Sequence, residues 1–228
     1  WLGSGPDRAE STMTRQSAIA ASDGGSGRSD GEANSCTPVL RPVGSIGVNR
    51  THGYDDCMAT SATPHLRILM VCMGNICRSP TAEGVLRDRL RRAGLDARVE
   101  VDSAGTHGWH VGHPPDARSV AHARRRGIDL SALRARRVCE ADFLRFDRIY
   151  AMDQDNLAEL ERFRPDAARA RVALLLSALG PLQTAVEVPD PYYGGDAGFE
   201  HVRELTESAA DAIVFELVTI GFEAPGNF

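Results

Sequence analysis

Along this 228-residue chain the pattern of apolar and polar positions changes character near residue 65. Residues 1–64 carry only short apolar pieces, Pro38-Val39-Leu40 and Ile46-Gly47-Val48, with no sustained helical or strand period. The stretch is rich in Ser, Gly, Ala, Thr and Asp, and its only aromatics are Trp1 and Tyr54. Such a segment cannot bury enough surface to offset its ordering entropy, so residues 1–64 are expected to form a disordered N-terminal extension. The chain opens on Trp, and Met58 stands just before the first apolar run, which places the expected natural start at or near Met58.

From Leu66 onward strand and helix patterns alternate. The apolar run Ile68-Leu69-Met70-Val71 reads as a buried strand. After a short loop, Ser79-Pro80 signals a helix start, with Ser79 as N-cap and Pro80 at the first helical position. Ala82, Val85, Leu86 and Leu90 give that helix its apolar face, and Gly94 closes it. Further strands are predicted over 98–104, 148–152 and 171–176. Helices are predicted over 116–126, 140–146 and 154–162, the last capped by Asp153. A long final helix carries the stripe Phe199, Val202, Leu205, Ala209, Ile213, Leu217 and Ile220. Strands joined by helix-length connections imply an α/β fold with parallel pairing and right-handed crossovers, as one domain over 65–228. Ligands in such folds bind beyond the carboxyl ends of the strands.

Composition narrows the function. All 26 basic residues are arginine, and the net charge of −5 divides into −2 before residue 65 and −3 after it. Neither part has the basic excess of a nucleic-acid-binding protein. No run reaches transmembrane length, no apolar secretory core is visible near the N-terminus, and no membrane partner is expected. Five cysteines (Cys36, Cys57, Cys72, Cys77, Cys139) are too few and too scattered for a disulfide scaffold.

Candidate chemistry lies in the loop Cys72-Met73-Gly74-Asn75-Ile76-Cys77-Arg78. A strand feeding a tight loop into a helix N-terminus gathers amides and a favourable dipole, so it seats an anion. That environment stabilises a thiolate at Cys72 for the same reason it binds phosphate. Arg78 offers a planar fork to the oxygens of a phosphoryl group. A nucleophile, a nest of donors and a guanidinium together suit phosphoryl transfer through a phosphocysteine. The nucleophile needs a reducing compartment, which points to the cytoplasm.

VCMGNICRSPTAE is similar to the signature of the low-molecular-weight protein tyrosine phosphatases, and SAGTHGWHVGHPPDAR, DFLRFDRIYAMDQDNL and DPYYGG extend the likeness to the final helix. The resemblance implies a four-stranded parallel sheet of order 2-1-3-4 with helices on both faces and the phosphate loop after strand 1. It implies hydrolysis of phosphotyrosine in protein substrates, without cofactor, by a monomer. Cys72 becomes the nucleophile, with Met73, Gly74, Asn75, Ile76, Cys77 and Ser79 completing the loop. Asn75 would hold the loop's shape, and Ser79 would either donate to the Cys72 thiolate or serve only as an N-cap, two roles that can coexist. Cys77 is either a reversible disulfide partner of Cys72 or a passive packed thiol. Asp153 either braces the loop or caps a helix.

By spacing alone, Asp190-Pro191-Tyr192-Tyr193-Gly194-Gly195 is an Asx-type turn. Its match to the family motif makes Asp190 the acid that protonates the leaving phenolate and the base that activates water. Trp109, Tyr192 and Tyr193 would wall a slot deep enough to favour phosphotyrosine over phosphoserine. His107, His110 and His113 lack a carboxylate or cysteine partner pattern, and no metal is expected. One departure stands out. Where many relatives read His-x-Ala-Arg-Gln, this chain has Leu133-Arg134-Ala135-Arg136-Arg137, so Asn75 is expected to be held less firmly. Three competitors remain: a protein-arginine phosphatase, disfavoured by Ile76; an arsenate reductase, for which only Cys139 is available as a further thiol; and a silent phosphoprotein-binding module, against which Cys72, Arg78 and Asp190 together speak.

Overall fold

The computed structural model describes residues 66–181 and 186–221. The expected extension over 1–64 and the start near Met58 lie outside the described residues. Within them, a four-stranded all-parallel sheet runs in the order β2-β1-β3-β4, the order implied by the family resemblance. Its strands are β1 (Leu66–Cys72), β2 (Val99–Gly105), β3 (Arg148–Ala151) and β4 (Arg171–Leu174). The helices are α1 (Arg78–Arg92), α2 (Ala117–Arg124), α3 (Glu140–Arg145), α4 (Gln154–Phe163) and α5 (Asp196–Thr219). None of these described helices is long and apolar enough to cross a membrane.

β1 is central because its sequence suits burial on both faces, as parallel sheets require. Ile68, Met70 and Cys72 pack on one side with Val85, Leu86 and Leu90 of α1 and Ala209, Ile213 and Leu217 of α5. Leu69 and Val71 pack on the other with Phe143, Phe146 and Leu160 beside α3 and α4. The alternation follows from the two-residue period of a strand. Together the two layers fix the carboxyl end of β1, where Cys72 sits, against both neighbouring strands.

Three expectations are corrected. The fourth strand ends at Leu174, because residues 175–179 turn into a 3-10 helix that sends Leu175 and Leu176 into the core. Ile220 leaves the α5 stripe: it lies just past the helix end and is exposed. Finally, α1 begins at Arg78 with Cys77 as its cap residue, so Ser79 is not the N-cap and Pro80 is the third helical residue. Proline is still tolerated there, because the first-turn N–H groups have no intrahelical acceptor.

Gly84 lets α1 approach the segment before α3 closely. A Cβ there would stand 2.3 Å from Leu130 Cδ2 and 3.0 Å from Ile128 Cγ2, both on buried side chains. Alanine normally stabilises a helix interior relative to glycine. Here the overpacking dominates, and Gly84→Ala is expected to lower stability by about 1–3 kcal/mol. A urea midpoint that stays the same or rises would contradict this packing.

Candidate active site

Cys72 closes β1 and Arg78 opens α1, leaving residues 73–77 to make the loop. The loop folds tightly because β2 ends in glycine beneath it. A Cβ on Gly105 would lie 2.7 Å from the Met73 carbonyl oxygen and 3.1 Å from the Asn75 nitrogen. Thr106 N donates to Cys72 O at 2.9 Å and His107 N to Met73 O at 3.0 Å. Asn75 adopts φ 55°, the left-handed region, which a non-glycine residue enters at a cost. Its backbone N–H then donates to Cys72 Sγ at 3.3 Å.

The Asn75 side chain is buried and held at both ends. Its Nδ2 donates to Ser79 Oγ at 2.9 Å and to Ser103 Oγ at 2.8 Å, while its Oδ1 accepts from Arg136 N at 2.9 Å. Ser103 in turn donates to Glu83 Oε2 at 2.5 Å, on a carboxylate with no solvent exposure. A carboxylate only accepts, so the direction of the chain is fixed. Ser79 Oγ accepts from Asn75, and its own proton is left for Cys72 Sγ at 3.1 Å or Ala104 O at 3.3 Å. The hydroxyl expected to cap a helix is turned to the thiol instead.

The expectation that Leu133 leaves Asn75 loosely held is therefore corrected. Leu133 joins the apolar core, and the amide is anchored by Ser103 and by the Arg136 backbone. Arg136 is itself pinned between Asp102 and Asp142, at 3.0 and 2.9 Å. Ser103, Glu83 and Arg136 escaped the sequence reading of this site. Their roles depend on β2 and the segment before α3 meeting α1, and no local motif announces that.

Arg78 is buried at 2% exposure, with its guanidinium bound to Asp153, to Val188 O at 3.1 Å and to Asp190 Oδ2 at 3.0 Å. Burial works against its charge, but Cys72, Asp153 and Asp190 outweigh it and hold the group more firmly protonated than usual. Asp153 performs both of its expected roles: Oδ1 caps α4 through Asn156 N at 2.7 Å, and Oδ2 braces Arg78. Asp190 also divides its oxygens. Oδ1 accepts from Tyr192 N at 2.9 Å in the Asx turn, while Oδ2 meets Arg78 across 112 residues.

A cavity of about 210 Å³ lies over the loop, lined by Cys72, Met73, Gly74, Ile76, Cys77, Arg78, Trp109, His110, Asp190, Tyr192 and Tyr193. All the proposed catalytic and aromatic residues thus face one space. The expectation that the aromatics wall a deep slot is corrected to an open rim, because Trp109 is 67%, Tyr192 41% and Tyr193 96% exposed. Trp109 stacks on His107 with centroids 4.4 Å apart. Among the described residues no group of three or more His, Cys, Asp or Glu side chains is arranged to hold a metal. A thiol, a buried guanidinium and a carboxylate facing one cavity suit transfer of a phosphoryl group to sulfur and then to water.

A family model described as "Low molecular weight phosphotyrosine protein phosphatase" matches residues 67–219. The chain is 45% identical over 138 residues to the Schizosaccharomyces pombe low molecular weight phosphotyrosine protein phosphatase, covering 60% of this chain and 87% of that one. Its fold is similar to that of the Entamoeba histolytica protein tyrosine phosphatase, with TM-score 0.63 and 36% identity over 67% of this chain and 97% of that one. It is also similar to a Drosophila arginine phosphatase, with TM-score 0.62 and 31% identity over 66% of this chain and 97% of that one.

Cys77, the second thiol of the loop, is also buried. Burial, then the charges of Asp116 and Cys72, push its thiol up to about 12. An unfolded thiol ionises at about 8.5, so Cys77 contributes stability that is lost as pH rises from there toward 12. At pH 8 native Cys77 is expected to resist iodoacetamide while the urea-unfolded chain reacts there. Equal labelling of Cys77 in both states, read by peptide mass spectrometry, would contradict this.

Proposed function

The chain belongs to the low molecular weight phosphotyrosine protein phosphatase family, a family of cysteine-dependent phosphoric monoester hydrolases acting on phosphoproteins, and from that premise we propose how its residues divide the reaction. Cys72 attacks phosphorus in line, forming the S–P bond as the bond to the tyrosyl oxygen breaks. Its thiolate form is favoured by the Asn75 N–H and the Ser79 hydroxyl. Arg78 and the loop amides hold the three equatorial oxygens through the transition state, where such preorganised donors count most. To do so Arg78 exchanges its Asp190 contact for phosphate and keeps Asp153 as its brace.

Asp190 gives its proton to the departing phenolate. It then takes one from the water that attacks the phosphocysteine, releasing phosphate and restoring the thiolate. Ser79 stabilises the sulfur as it leaves. Cys77, neutral and buried beside Cys72, is the thiol with which an oxidised Cys72 would form a reversible disulfide, shielding it from over-oxidation. The open aromatic rim over a buried phosphate seat supports an aryl phosphate, whose ring spans the distance that a seryl phosphate would not. Action as a monomer is part of the same proposal and follows the family resemblance alone. The need for a reduced nucleophile supports a cytoplasmic setting.

The observation that carries this reading is the meeting of Cys72, Arg78 and Asp190 in one cavity. Its test is an aryl phosphate assay in EDTA. Wild type is expected to turn over, and Cys72→Ser to lose activity while still binding phosphate. In kcat/KM, which ends at transfer to Cys72, Asp190→Ala is expected to lose about 10²- to 10⁴-fold on poor leaving groups and far less on activated ones. Substantial turnover by Cys72→Ser, or equal Asp190→Ala losses across leaving groups, would contradict the assignment. Phosphotyrosine and phosphoarginine peptides compared side by side are expected to favour phosphotyrosine.

A further inference from the structure

One polar cluster outside the cavity has no part in the chemistry described so far. His122, on α2, is buried at 2% exposure. Its Nε2 lies 2.7 Å from Asp196 Oδ1 and its Nδ1 2.9 Å from Glu200 Oε2. Both carboxylates belong to the first turns of α5, which follows the Asp190 loop directly. The imidazole also lies against Phe199, with centroids 6.1 Å apart and planes inclined by 22°.

The His122 bond holds Asp196 below the usual range, and Arg203 first and His122 second pull Glu200 down to about 2. The other charges facing this cluster are Arg125, 3.5 Å from both His122 Nδ1 and Asp196 Oδ2; Arg126, 3.9 Å from Glu200; and Arg203, 2.5 Å from Glu200.

The same helix grips the acid loop from its other end. Arg118 Nη1 donates to Tyr192 O at 3.1 Å, and its guanidinium covers the Phe199 ring at 4.4 Å. Just before α2, Asp116 N donates to Ile76 O of the phosphate loop at 2.8 Å. Thus α2 touches both halves of the site, the loop that carries the nucleophile and the segment that carries the acid. Gly194-Gly195 between Asp190 and α5 would otherwise leave that segment free to swing.

We propose that His122 is a positioning residue for the general acid: clamped between Asp196 and Glu200, it fixes the start of α5 and thereby sets Asp190 over the phosphate seat. This rests on Asp190 being the acid. Losing the clamp lets Asp190 sample positions from which it protonates the leaving group poorly, while attack by Cys72 is untouched. The loss should therefore follow leaving-group basicity, as it would not if His122 merely supported the fold.

The test compares kcat/KM, which covers only the steps through transfer to Cys72, for phenyl phosphate and 2,4-dinitrophenyl phosphate in wild type, His122→Gln, Asp196→Ala and Asp190→Ala. His122→Gln is expected to lose about tenfold on phenyl phosphate and less than about twofold on the activated ester, a smaller version of the acid's own pattern. Asp196→Ala, altered at a side chain 72% exposed, is expected to show the same graded loss and carries the test if His122→Gln fails to fold. Equal losses on both esters, or none on either, while Asp190→Ala remains selective would overturn the clamp alone. An unselective Asp190→Ala would overturn the acid assignment and the clamp with it.

Discussion

The left-handed turn at Asn75 is the constraint on which the site depends. At φ 55° a non-glycine backbone is strained, yet only that turn directs the Asn75 N–H back at Cys72 Sγ. The strain is offset by a buried amide side chain that makes three hydrogen bonds. Each bond reaches a different element: Ser79 on α1, Ser103 on β2 and the backbone of Arg136. The loop therefore inherits its shape from the packing of the fold.

The hydrogen-bond direction carries chemical meaning as well. Glu83 accepts, Ser103 donates to it and accepts from Asn75, and Asn75 donates to Ser79. Ser79 is left with its proton for the Cys72 sulfur or the Ala104 carbonyl. A carboxylate without solvent exposure is costly unless bonded, and here its bonding orients a hydroxyl on the thiol. The layers around β1 supply the rigidity this chain requires, since a loop positioned by packed elements holds its donors in place before substrate arrives.

Much of this was legible in the sequence, for physical reasons that can be named. The apolar run of β1, the C-x5-R loop and the periodicity of α1 are local patterns, and family resemblance supplied the sheet order and Asp190. What could not be read was set by packing between distant segments. Ser79 looks like a helix cap because capping is the commonest use of a serine before proline. Only the approach of Asn75 and Cys72 gives it another partner. Leu133 looked like a loss because the bonds that hold Asn75 come from Ser103 and Arg136, 28 and 61 residues away. His122 gave no signal at all: its two carboxylate partners lie 74 and 78 residues further on.

A thioester between phosphate and the sulfur of Cys72 is the one species that this arrangement of donors exists to form and discharge. Rapid acid quench of the enzyme during turnover of an aryl phosphate, followed by peptide mass spectrometry, detects it directly. Phosphate is expected on the peptide containing Cys72, localised to that residue and absent from Cys72→Ser. Turnover without any Cys72 adduct, or phosphate trapped on a different residue, would contradict the central claim.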